Sequence, residues 1–167
     1  CARYRQHYAA HPGAVRPHRW QGLVEDLVAE VHASTVLDYG CGAAANLARY
    51  APWPVQNYDP GVPAWATLPQ PDDLVVCVHV LEHVEPDALD AVLAHLWLCT
   101  VKAALIIVSC QPSTKVLPDG TPWHTLVQAA AWWQERVAYL GPLSTSREAL
   151  LMASEREYGC VLYRMKG

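Results

Sequence analysis

The sequence predicts an α/β domain in which a mostly parallel sheet is covered by helices on both faces. A hydrophobic strand beginning at Val36 runs into the glycine turn Gly40-Cys41-Gly42. Beyond this turn, short apolar runs alternate with segments of helical periodicity, which indicates parallel strands joined by helical crossovers. The chain has 167 residues, of which 52% are hydrophobic and 17% charged. This size and composition predict one domain with its own core.

The first 34 residues are predicted to form an arm and one amphipathic helix. The helix is predicted because apolar residues recur at the spacing of one helical face. These residues are Trp20, Leu23, Val24, Leu27, Val28 and Val31. The arm carries a basic cluster, for which a solvated segment is the favoured interpretation. Its members are Arg3, Arg5, Arg16, Arg19, His7, His11 and His18.

The next elements form the central part of the sheet. The glycine turn leads into a helix that begins near Asn46, and strands are predicted over 55–59, 74–80 and 104–108. A crossover helix with Pro86 in its first turn lies between the last two, since the first turn of a helix tolerates a missing N–H. Four prolines between residues 60 and 71 leave no room for a full helix and strand, so the sheet is predicted to be shortened there.

The last third of the chain is predicted to close the sheet with an antiparallel pair. Apolar spacing predicts a helix over 126–140, ended by Gly141-Pro142. Strands follow over 150–152 and 161–163. We therefore divide the single domain into an arm and helix (1–34), a cofactor-binding core (35–110), a candidate lid loop (111–124) and a C-terminal helix with strands (125–167).

Three motifs fall at the carboxyl ends of the predicted strands, where open α/β sheets bind ligands. The first is the glycine turn with Asp38. The second is Asp59, 19 residues after Gly40, whose carboxylate suits the two hydroxyls of a ribose because it accepts two hydrogen bonds. The third is the segment from His79 to Val84. Each is weak alone, but together they predict a nucleoside-bearing cofactor.

On these motifs the chain resembles the class I S-adenosylmethionine-dependent methyltransferases over roughly residues 35 to 108. Val-Leu-Asp-Tyr-Gly-Cys-Gly at 36–42 is similar to the first motif of that family, and Asp73 to Val84 to a segment of its small-molecule branch. The resemblance implies a Rossmann-like fold with S-adenosylmethionine as the cofactor, shortened here between the second and fourth strands. It also implies a set of cofactor-binding residues. They are Asp38, Gly40, Gly42, Ala44 in place of a third glycine, Asp59, Cys77, His79, Val80 and Leu81.

Candidates for catalysis and acceptor binding lie at the strand ends and in the lid loop. His79, Glu82 and His124 are the candidate catalytic residues, since a general base helps when the acceptor is a hydroxyl or a protonated amine. A structural role is favoured for His83 and also for Glu82. The candidate acceptor-binding residues are Ser113, Lys115, Trp123 and His124, although a plain loop is favoured for Ser113 and Lys115. Lys115 to His124 also looks like small phage-encoded relatives of the family.

Charge and composition limit the class of acceptor and the cellular compartment that we expect. The formal net charge of −4 disfavours polymeric nucleic acid and favours a small acceptor, including a nucleotide. Six cysteines without a C-x-x-C pair predict reduced thiols, no metal site and a cytoplasmic protein. Neither a membrane span nor a signal-peptide core is recognised. The oligomeric state is left open.

Three functions from different classes follow. The leading hypothesis is S-adenosylmethionine-dependent methyl transfer to a small acceptor. The second is a non-catalytic subunit that keeps the fold, because Ala44 and the shortened middle depart from the family pattern. The third is a nicotinamide-dependent oxidoreductase.

Overall fold

A computed structural model of the chain describes residues 2–10, 17, 19–138, 140 and 146–165. In these residues one sheet contains β1 (Val36–Tyr39), β2 (Val55–Tyr58), β3 (Asp72–Val78), β4 (Thr100–Ser109), β5 (Ser146–Ala153) and β6 (Glu157–Arg164). The α-helices are α1 (Ala2–Ala10), α2 (Gln21–Glu30), α3 (Asn46–Tyr50), α4 (Leu89–Leu98) and α5 (Ala130–Ala138). Short 3-10 helices lie at Pro63–Trp65, Leu81–His83 and Pro86–Ala88.

The strand order confirms the predicted α/β architecture. The strands lie in the order β2-β1-β3-β4-β6-β5, and the first four are mutually parallel. Strand β6 pairs antiparallel with both β4 and β5. This is the Rossmann-like arrangement with the C-terminal antiparallel pair that the sequence predicts. The carboxyl ends of β1, β2 and β3 therefore lie side by side at one edge, as parallel neighbours must.

Two apolar cores cover the two faces of the sheet. Residues 104, 106 and 108 of β4 belong to the core that packs against α4 and α5, whereas residues 103, 105 and 107 belong to the core under α2 and α3. Alternate side chains of a strand point to opposite faces, so one continuous apolar run serves both cores. Trp133, which is fully buried, anchors α5 as its position on the apolar face predicts.

Strands β2 and β3 are joined by a short connection that contains no α-helix or further strand in the described residues. A single 3-10 turn at Pro63–Trp65 stands there, and β2 is the edge strand. This confirms the shortened middle that the proline-rich segment predicts. The amide of Asp59 donates to the carbonyl of Trp65 at 3.0 Å, which closes the connection on itself.

Several boundaries differ from the prediction for identifiable reasons. The strand expected over 74–80 ends at Val78 because His79 has a φ of 55°, which breaks the extended backbone. The helix expected from 126 begins at Ala130, and the amides of Thr125 and Leu126, just before it, donate to the carbonyl of Glu82.

The N-terminal segment also differs, because part of the expected arm is helix α1. Of the basic cluster, Arg16, His11 and His18 lie outside the described residues, as do Cys1 and Gly141-Pro142. Among the described helices, none combines the length and apolar character needed to cross a bilayer.

Candidate functional site

A pocket of about 190 Å³ opens at the carboxyl ends of β1, β2 and β3. Its walls come from the glycine turn, the end of β2, the loop after β3 and helix α1. Ligand pockets usually measure about 300–1,000 Å³, and this pocket is smaller than that range. The residues that line the pocket include Tyr4, Tyr8, Gly40, Asp59, Gly61, His79, Val80 and His83.

The glycine turn requires glycine for steric reasons. Gly40 has a φ of 85°, and a Cβ built on it would lie 2.4 Å from a methyl carbon of Val80. Its amide donates to the carbonyl of Tyr58 at 2.7 Å, which holds the turn against β2. Gly42 is also in the left-handed region, with a φ of 62°. Any other residue at Gly40 would therefore be strained and crowded.

The carboxylate of Asp59 connects the turn to the end of β2. Its Oδ2 accepts from the amide of Gly42 at 3.0 Å and its Oδ1 from the amide of Gly61 at 2.8 Å. Each carboxylate oxygen has a second acceptor position, so two further donors can be bound from the pocket. Burial raises the pKa of Asp59, although the two amides oppose this shift.

Asp38 is a second buried acid beside Asp59. It is 7% exposed, and no hydrogen bond or ion pair to its carboxyl group occurs among the described residues. Burial, with a smaller contribution from the charge of Asp59, raises its pKa to about 7. The site thus holds a carboxyl group that a cationic ligand group would ionise and stabilise.

His79 enters the pocket between two acidic side chains. Its Nδ1 lies 3.1 Å from Oε1 of the fully buried Glu82, and its Nε2 lies 3.4 Å from Oε1 of Glu157. Glu157 also receives two hydrogen bonds from Arg19, at 2.8 and 3.2 Å. The His79 side chain remains 35% exposed. The ring is therefore oriented by carboxylates while part of it faces the pocket.

His83 and His124 lie beside Glu82. The carbonyl of Trp123 accepts from Nδ1 of His83 at 2.7 Å, and the carbonyl of Gln111 accepts from Nδ1 of His124 at 2.6 Å. The two rings are 5.0 Å apart between centroids. Burial lowers the pKa of His83, which favours its neutral imidazole. The lid loop and the loop after β3 are thus brought together.

The other residues expected to bind an acceptor lie in the loop around Trp123. The hydroxyl of Ser113 accepts from the amide of Lys115 at 3.0 Å, and the ammonium of Lys115 stands 5.9 Å from the ring centroid of Trp123. The amide of Trp123 donates to the carbonyl of Lys115 at 3.0 Å. Ser113 and Lys115 therefore stabilise a turn next to Trp123, and neither is among the residues that form the pocket wall.

Five of the residues expected to contact the cofactor are not among those that line the pocket: Asp38, Gly42, Ala44, Cys77 and Leu81. Cys77 and Leu81 are fully buried in the core on the α4 face, and burial raises the pKa of the Cys77 thiol. Ala44 is partly exposed, and its carbonyl accepts from the guanidinium of Arg49 at 2.7 Å. By contrast, Gly40, Asp59, His79 and Val80 all line the pocket.

Helix α1 contributes two tyrosines to the site that the sequence pattern did not lead us to expect. The Tyr4 hydroxyl donates to the carbonyls of His83, at 3.2 Å, and Trp123, at 2.9 Å. Tyr8 lines the pocket, and its hydroxyl stands 3.7 Å from the position of a Cβ on Gly42. The spacing of the two tyrosines, four residues apart, was an available signal, since such residues share one helical face.

Comparison with solved structures shows the class of fold. The chain superposes on DhpI in complex with S-adenosylhomocysteine with a TM-score of 0.62 and 15% identity, covering 98% of this chain and 94% of that one. It superposes on 1,6-didemethyltoxoflavin-N1-methyltransferase of Burkholderia thailandensis with a TM-score of 0.54 and 14% identity, covering 99% and 88%. For an O-methyltransferase family protein of the same organism the TM-score is 0.58 at 17% identity. This superposition covers 89% of this chain and 58% of that one.

These neighbours define a methyltransferase fold of the class I type. No protein-family model matches the sequence, and no curated protein matches it significantly. At the identities above the likeness establishes the fold alone, because one fold supports many functions.

Proposed function

We propose that the chain binds S-adenosylmethionine in the pocket and transfers its methyl group to a small acceptor. One observation carries the proposal: the glycine turn and the buried carboxylate of Asp59 meet at the same edge of the sheet. Asp59 keeps two acceptor positions for the ribose hydroxyls, and Gly40 leaves bare backbone facing the pocket. Asp38 offers a negative charge for the ammonium group of the methionine part.

The remaining wall supports a transfer reaction. The sulfonium supplies an activated methyl group, so the protein mainly has to hold the acceptor in line with it. His79 is the proposed general base for an acceptor hydroxyl or amine. Glu82 fixes its ring through Nδ1, and the acceptor would take the place of Glu157 at Nε2, which lies 3.4 Å from that carboxylate. Glu82 acts as a positioning residue in this proposal, whereas His124 is not among the residues that line the pocket.

We propose that the acceptor is a nucleotide or another phosphorylated or carboxylated small molecule. Lys115 and Trp123 support this, because a cation stands next to an aromatic ring on the loop that contacts His83. An anionic group can pair with the ammonium while a flat group stacks on the indole. The acidic net charge of −4 favours such an acceptor over polymeric nucleic acid. The expected setting is the cytoplasm.

Calorimetric titration with S-adenosylmethionine and S-adenosylhomocysteine tests the cofactor. The native chain should bind both, and Asp59→Asn should bind at least about 10-fold more weakly, since a hydrogen bond to a charged group contributes about 1.5–3 kcal/mol. Asp26→Asn on the exposed surface of α2 is the matched control and should bind like the native chain. Absence of binding by the native chain would contradict the proposal.

Two alternatives make different predictions. Ala44 and the shortened connection between β2 and β3 favour a non-catalytic subunit as the second candidate. Methyl transfer to any member of an acceptor panel that includes mononucleotides would exclude it. A nicotinamide-dependent oxidoreductase would instead show a thermal shift with NAD and none with S-adenosylmethionine.

A further inference from the structure

Glu82, His83 and His124 converge on one point next to the pocket. Each offers a ligand atom, and these atoms all lie within 4.8 Å of one another. We propose that the three residues bind a divalent first-row transition-metal ion through two imidazole nitrogens and one carboxylate oxygen. Glu82 and His83 are adjacent on the 3-10 helix Leu81–His83, whereas His124 lies in the lid loop. The site therefore has no recognisable ligand spacing in the sequence.

The two imidazoles are already arranged as metal ligands. Each Nδ1 is paired with a backbone carbonyl, that of Trp123 for His83 and that of Gln111 for His124. A carbonyl oxygen only accepts, so each Nδ1 carries the proton and each Nε2 keeps its lone pair in the neutral ring. Histidines that bind metals usually donate their other N–H to a carbonyl or carboxylate in this way.

The carboxylate supplies an independent observation. Glu82 is fully buried, and its Oε1 accepts from the amide of Ser109 at 3.2 Å and faces His79 at 3.1 Å. Its Oε2 is buried with no hydrogen-bond partner in the described part of the chain. A buried carboxylate oxygen without a donor is costly, and a cation bound beside it removes that cost.

The donor set selects the class of ion. Two imidazoles and one carboxylate hold Zn²⁺ in hydrolytic enzymes and Fe²⁺ in oxygenases, whereas Mg²⁺ and Ca²⁺ prefer oxygen ligands throughout. Two ligands about 2.1 Å from a tetrahedral ion stand about 3.4 Å apart. The present separations, all within 4.8 Å, therefore need only small side-chain rotations to close on an ion.

The position of the site gives the ion a free face. Three protein ligands leave at least one coordination position open, as in catalytic metal sites, and His83 itself lines the pocket. A small molecule in the pocket could therefore bind the ion directly through an oxygen. Metal binding as such does not depend on the proposed methyl transfer, and the two are tested by separate measurements.

Calorimetry with Co²⁺ on the chelator-treated, thiol-reduced chain tests the site. We expect one Co²⁺ per chain, with a visible d–d absorption band, and clearly weaker binding of Mg²⁺. His124→Asn and Glu82→Gln should each weaken Co²⁺ binding at least about 10-fold, because even the loss of an outer partner of a ligand costs about 10–100-fold. His32→Asn is the matched control: His32 is exposed and has a φ of 49°, which asparagine tolerates.

The outcomes separate the site from adventitious binding. Circular dichroism and metal-free melting establish that each variant is folded. Weaker Co²⁺ binding in folded His124→Asn, with native affinity in His32→Asn, would support the proposal. Native affinity in both ligand variants would overturn it and would assign the ion to thiols such as Cys41, which is partly exposed. No Co²⁺ binding by the native chain, or preference for Mg²⁺, would also overturn it.

Discussion

The substitution Asp38→Asn should stabilise the ligand-free protein above neutral pH while weakening cofactor binding. The folded chain keeps the Asp38 proton up to about pH 7, whereas an unfolded aspartate loses it near its ordinary pKa of 3.8. Between these values the folded state binds more protons than the unfolded state, so stability falls as pH rises. At about 1.36 kcal/mol per pKa unit, the three-unit difference corresponds to a loss of about 4 kcal/mol.

Thermal unfolding over a pH series measures this effect. Asparagine does not titrate, so the variant should lack the loss, and its melting temperature should exceed that of the native chain by roughly 10 °C near pH 8 but by little near pH 4. S-adenosylmethionine should bind the variant about 10-fold more weakly, because the carboxylate is absent. Asp26→Asn should change neither quantity. If the difference in melting temperature between Asp38→Asn and the native chain stayed the same from pH 4 to pH 8, the reasoning would be refuted.

Two further predictions concern the turn and helix α1. Gly40→Ala should destabilise the fold by about 1–3 kcal/mol more than Gly120→Ala in urea unfolding, because both glycines have positive φ angles but only Gly40 lacks room for a Cβ; equal losses would contradict the crowding argument. Tyr4→Phe removes a hydrogen-bond donor worth about 1 kcal/mol, so hydrogen exchange of the backbone amides of residues 5–10 should become about 5-fold faster. Tyr50→Phe is the control, because Tyr50 is exposed. Unchanged exchange in Tyr4→Phe would show that the Tyr4 hydroxyl does not hold α1 in place.

The central strands and their parallel arrangement could be predicted because they depend on contiguous apolar runs that alternate with helical periodicity. The run through β3 is buried on both faces of the sheet, so its composition alone separates it from an amphipathic helix. Proline content likewise predicts the short connection after β2. The positions of Asp59 and His79 at strand ends follow from the same runs, since parallel strands deliver their carboxyl ends to one edge.

What could not be predicted depends on contacts between distant segments. Helix α1 is mainly polar, and Tyr4 is fixed by carbonyls far along the chain, at His83 and Trp123. The approach of His124 to Glu82 requires the lid loop to fold back on the loop after β3, for which periodicity carries no signal. Local backbone strain also cannot be recognised in the sequence. The positive φ of His79 ends β3 two residues earlier than the apolar pattern indicates.

A structure of the protein with S-adenosylhomocysteine tests the central claim most directly. We predict that the ribose hydroxyls bind the carboxylate of Asp59, that the methionine ammonium lies by Asp38, and that the sulfur faces His79. Helix α1 should shift relative to its present position, since the pocket of about 190 Å³ is small for this ligand. A ligand bound elsewhere on the chain, or a pocket that stays empty at saturating concentration, would contradict the account.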